Sequence, residues 1–154
     1  MHQRSLPLLC ASFGVIAIAI APATSQATSV KQLGYLVGTW NCSSANEKFR
    51  ETWAYALGGV VMRATDQGKE TQEHTLAYAR NSNSMTVVDY FTDGSSDVMR
   101  GTGSSTHAAF HAVYPPGAST TVAFNRLTDT KYTIDVAGLQ RGKSFKDRYV
   151  CTKT

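Results

Sequence analysis

The chain has 154 residues, of which 42% are hydrophobic and 17% charged, and its formal net charge is +4. That length suits one small domain behind an N-terminal leader, so a single core is expected and a second folded module is not. The lysines and arginines are scattered, with no basic cluster interleaved with aromatic rings, so no nucleic-acid partner is expected.

Residues 1–27 read as a signal peptide. Arg4 supplies the basic start, an apolar run from Ala11 to Ala21 follows, and Ser25-Gln26-Ala27 offers small residues for cleavage after Ala27, with Ala21-Pro22-Ala23 as the alternative. The apolar run falls short of the roughly 18–20 residues that span a bilayer, and it stops at Pro22, so no membrane anchor is expected after cleavage. Cys10 is not read as a lipidation site, because Leu9 stands where a small residue is required. The domain is then residues 28–154 in a secreted or periplasmic, oxidising setting. There Cys42 and Cys151 form an even pair.

Ser29 to Gly34 fits one helical turn, and period-two alternation begins at Leu36. Turn residues such as Leu57-Gly58-Gly59, Asn81-Ser82-Asn83, Asp93-Gly94 and Pro115-Pro116-Gly117 break the pattern into about ten strands. These fall near 36–43, 47–56, 59–66, 72–80, 84–91, 96–102, 106–114, 119–126, 130–137 and 144–152. The class is all-β. An antiparallel up-and-down barrel is preferred to a sandwich, because the spacing leaves no long crossover. If the first and last strands close on each other, Cys42 and Cys151 can staple the seam; two buried free thiols are the alternative.

Leu36-Val37-Gly38-Thr39-Trp40, followed by Trp53-x-Tyr55-x-Leu57-Gly58-Gly59, resembles the start of bacterial calycin-like domains, including secreted lipocalin-like proteins and nitrobindin-like haem barrels. The resemblance covers the first third of the chain and implies a closed barrel in which Trp40 seals the floor. Haem-binding members of that group take a histidine from a strand near the C-terminal end. This chain has none after His111, so no haem, and no other cofactor, is expected.

On the second strand Phe49, Glu51, Trp53 and Tyr55 share a face, and the aromatic face is expected to point inward. Glu51 then lies among aromatics, where a carboxylate is costly unless paired or protonated, with Arg63 and Arg100 as candidate partners. Tyr78 travels with Leu76 and His74, Phe91 with Asp89 and Val87, and Tyr149 with Phe145, Asp147 and Cys151. The expected ligand site is therefore a wall of Phe49, Trp53, Tyr55, Tyr78 and Phe91, with Glu51 and Arg100 as polar anchors. An internal ion pair or a rim position is the structural alternative for Glu51.

His107 and His111 are four apart on a strand, roughly 13 Å between Cα atoms, too far to share a metal ion, so no metal is expected. No serine sits in a nucleophile elbow, and Gly101-Thr102-Gly103 lacks the helix a phosphate loop needs. The expected function is binding of a small, mostly apolar or amphipathic molecule without transforming it. Two alternatives stay open. One is an isomerase or cyclase using Glu51 or Asp147 as base, and the other is an interaction or inhibitor module working through Gly101 to Ser105 and Pro115-Pro116-Gly117.

Overall fold

Ten runs of alternating residues become ten strands in a computed structural model that describes residues 29–140 and 142–154. They are β1 (Gly38–Ser43), β2 (Lys48–Ala56), β3 (Val61–Gln67), β4 (Thr71–Ala79), β5 (Ser84–Phe91), β6 (Ser96–Gly103), β7 (His107–Tyr114), β8 (Thr121–Thr128), β9 (Lys131–Gln140) and β10 (Lys143–Lys153). Each pairs antiparallel with the next, and β10 returns to β1, so the sheet is a closed up-and-down barrel with no free edge. The leader and its cleavage site lie outside the described residues. Among the described residues no helix is long and apolar enough to cross a membrane.

Closure places Cys42 directly opposite Cys151, and the two are joined as a disulfide with Cα atoms 4.0 Å apart. A second device seals one end. Residues Val30–Leu36 form a short 3-10 segment capped by Ser29, whose Oγ accepts the Lys31 backbone N–H at 3.1 Å. Its Val30, Leu33 and Leu36 side chains are fully buried in that end of the barrel, each contributing about 1.5–3 kcal/mol relative to exposure. Trp40, 1% exposed, donates its indole N–H to the Leu36 carbonyl at 2.7 Å and stands edge-on to Tyr132. Trp40 is thus tied by a hydrogen bond to the last residue of the plug.

Two glycines answer to geometry rather than to turns. Gly38 starts β1 at φ 128°, a conformation that disfavours any side chain, and it opens the Gly-x-Trp motif. Gly101 lies so close to β7 that a Cβ would fall 1.9 Å from the Ala109 carbonyl oxygen. A side chain there would push the two strands apart.

With the plug at one end, the turns after β1, β3, β5, β7 and β9 surround the other. That opposite end is the open one.

Candidate functional site

Inward-facing residues of β2 to β10 enclose a cavity of about 260 Å³ that opens at the unplugged end. Period-two alternation decides who reaches it. On β2 these are Phe49, Glu51 and Trp53; on β5 they are Val87, Asp89 and Phe91. Phe110, Phe124, Ile134 and Val136 complete the apolar wall, and Phe49 packs edge-on against Tyr149 with ring centroids 5.2 Å apart. Deeper in, Trp53 stacks on His74 at 6.1 Å and meets Phe124 edge-on, and Phe124 in turn meets Phe110.

The base of the cavity is polar. Antiparallel register sets Glu51 on β2 opposite Asp66 on β3, and His74 on β4 opposite Asp89 on β5. His74 bridges both neighbouring strands: its Nδ1 lies 2.6 Å from Asp89 Oδ1 and its Nε2 lies 3.1 Å from Asp66 Oδ2. Burial alone would lower the His74 pKa, but the hydrogen bonds to Asp66 and Asp89 outweigh it and raise the pKa to about 10. Both ring nitrogens therefore donate, and the imidazolium is locked between two carboxylates.

Glu51 is 2% exposed, and Cys42 Sγ, 4.0 Å from its Oε2, is a disulfide sulfur with no hydrogen to give. Burial, then repulsion from Asp66, pushes its pKa up to about 8, with His74 pulling the other way. The Trp53 indole N–H faces the same carboxyl and favours its charged form, yet it makes no hydrogen bond of acceptable geometry. Asp66 Oδ1 is likewise buried without a partner. Cys42, Cys151 and Glu51 lie close enough together to suggest a metal-ligand trio, but both sulfurs are committed to the disulfide and offer no thiolate.

Nearer the mouth, Glu47, Glu70 and Asp97 reach the cavity. Tyr149 donates its hydroxyl to Glu47 Oε2 at 3.2 Å, and its own pKa is raised to about 12 by burial and then by Glu47. Burial, followed by the charge of Asp89, also raises Asp97.

Of the seven residues the sequence singled out for a ligand, Phe49, Glu51, Trp53 and Phe91 line this cavity together. Three do not. Tyr55 shares the Trp53 face but stands past the plug, 42% exposed, with its hydroxyl 3.5 Å from the Lys31 carbonyl. Tyr78, near the plugged end of β4, packs on the core and donates to Asn83 Oδ1 at 2.6 Å. Arg100 is exposed on the outer face, because its neighbours Met99 and Asp97 reach the cavity and parity turns their even-numbered neighbour outward. Arg63 is exposed for the same reason, so neither arginine pairs with Glu51. Asp147 accepts the Ser44 hydroxyl at 3.1 Å and is not part of the cavity wall. His107 and His111 both point outward from β7.

The Asp66–His74–Asp89 bridge went unread in the sequence. Part of the signal is present: His74 and Asp89 each share a strand face with an aromatic ring, but Asp66 ends the run 59–66 on a face with no aromatic residue.

No family model matches the chain, and no curated protein matches it. A solved structure described as "EF1p2_mFAP2b bound to DFHBI" is similar to it at 11% identity and a TM-score of 0.38, covering 82% of this chain and 100% of its own.

Proposed function

We propose that the protein is a secreted or periplasmic barrel that holds a small, mostly apolar or amphipathic molecule in its interior. The observation that carries this reading is an end-on cavity, plugged at one end, open at the other and walled by aromatic and aliphatic side chains, with polar groups converging at its base and mouth. At about 260 Å³ it lies just below the range of roughly 300–1,000 Å³ typical of drug-sized ligands, so the occupant is small. The cross-strand cysteine pair suits an oxidising compartment, in keeping with the leader read at residues 1–27.

Native mass spectrometry of the mature protein from its own host, before and after denaturation, tests the reading. A small molecule released on denaturation is the expected result. A bare mass, together with no thermal shift across a library of small apolar molecules, would overturn it. A second reading has its own support in Glu51, whose pKa near 8 inside a walled cavity suits a proton-transfer base on an isomerase or cyclase. In that case Glu51→Gln abolishes turnover while the fold survives.

A further inference from the structure

Six carboxyl groups line the cavity, from Glu47, Glu51, Asp66, Glu70, Asp89 and Asp97, against a single imidazole and, among the described residues, no lysine or arginine. This concentration of negative charge occurs in a chain whose net charge is +4. Among the described residues, the cations Lys48, Lys69 and Lys143 near the open end are exposed and take no part in the wall. The cavity wall is thus acidic and lined by no described lysine or arginine, while Glu73, Asp93, Asp129, Asp135 and Asp147 lie outside it.

At the base, Glu51 and Asp66 are direct register partners on one face, an arrangement of like charges that a sheet ordinarily avoids. Only the poorly aligned Trp53 indole N–H faces the Glu51 carboxyl, and Asp66 keeps one buried oxygen without a partner. We propose that the cavity selects an organic cation: an ammonium head between the Glu51 carboxyl and Asp66 Oδ1, carrying an apolar body that lies along Trp53, Phe124 and Phe49. This rests on the ligand-binding reading above and names the class of ligand.

Three further features point the same way. Aromatic faces attract a desolvated ammonium, and Trp53 is the best ring for it. Glu47, Glu70 and Asp97 at the mouth raise the local concentration of cations and repel anions. A hard inorganic cation is poorly served, because it takes about six or more oxygens, while Asp66 Oδ2 and Asp89 Oδ1 are engaged with His74. With only the His74 imidazolium and the Trp53 indole to oppose burial and the charge of Asp66, Glu51 holds its proton up to about pH 8, and an ammonium placed against its carboxyl would favour the charged form further.

The test compares three probes of one shape and different charge, phenethylammonium, phenethyl alcohol and phenylacetate, by isothermal titration with the full mature protein at pH 8. Phenethylammonium should bind about tenfold or more tightly than the alcohol, and phenylacetate should not bind measurably. Asp66→Asn should weaken the ammonium by about tenfold and leave the alcohol unchanged. Glu51→Gln serves the same purpose if Asp66→Asn disturbs the fold through His74. If the alcohol or phenylacetate binds as tightly as the ammonium, the cation proposal fails while the ligand-binding reading stands. If calcium chloride displaces the ammonium at micromolar concentration, the site belongs to an inorganic ion and the proposal fails. If none of the three binds up to millimolar concentration, the cation proposal fails, and the native mass spectrum decides the ligand-binding reading separately.

Discussion

Replacing Glu51 by glutamine is expected to stabilise the protein increasingly as the pH rises from 5 to 8. In the fold the Glu51 carboxyl ionises only near pH 8, against an ordinary value of 4.5, because burial and Asp66 penalise its charge. Between those two values the unfolded chain has lost the proton and the folded chain keeps it. Folding therefore takes up a proton, and stability falls with pH at up to about 1.4 kcal/mol per unit. Over the interval from pH 5 to pH 8 this amounts to about 3 kcal/mol, a loss that glutamine, isosteric and neutral, does not suffer. Urea denaturation followed by circular dichroism at each pH, with the disulfide intact, reads the difference directly. His74, whose raised pKa stabilises the fold below its ordinary value of 6.5 and loses that contribution as pH passes about 10, acts in both proteins and largely cancels. Parallel stability profiles for Glu51→Gln and the natural protein would refute the assignment of a buried, protonated Glu51.

Two further outcomes follow from the same structure. In nitrogen-15 spectra His74 should remain a doubly protonated imidazolium through pH 8, and the double variant Asp66→Asn with Asp89→Asn should bring its pKa below 6.5, since burial is then unopposed; a His74 that titrates normally in the natural protein would sink the bridge. Thiol labelling of the non-reduced protein should modify neither Cys42 nor Cys151, and replacing both by alanine should cost at most about 5 kcal/mol, given a separation of 109 residues. Ready labelling of either cysteine would count against the stapled seam.

The fold was legible because the strands alternate and the turns are frequent. Those two properties give the strand count and the antiparallel order, and they leave parity to sort inside from outside. Parity worked for Phe49, Glu51, Trp53, Val87, Asp89 and Phe91, all of which line the cavity. It does not report depth. Tyr55 and Tyr78 share a face with cavity residues but sit at the plugged end, where the segment Val30–Leu36 occupies the interior. Nothing in a single strand says how high a plug rises. Arg100 differs: it carries the charge that a buried acid would attract, but because Asp97 and Met99 face the cavity, strand parity puts it on the outer side of β6.

The polar base went unread for a third reason: it exists only across strands. His74 lies 8 residues from Asp66 and 15 from Asp89, spacings that carry no motif. In an antiparallel hairpin, however, one known pair fixes every other. The pairing of Ala64 with His74 puts Asp66 one diagonal step from the imidazole on the same face, and the next hairpin puts Asp89 directly opposite it. The Glu51 and Asp66 pairing then brings a fourth titratable group to the same level. The chemistry of this cavity is therefore written in turn lengths as much as in residue types, because a one-residue change in the β2–β3 or β3–β4 turn would shift a register and turn an acid from the interior to solvent. Four ionisable groups held at one level inside a barrel weaken the fold as pH rises, through both Glu51 and His74. An apolar filling would carry no such penalty, and that makes a ligand whose charge answers Glu51 and Asp66 the economical account of their placement.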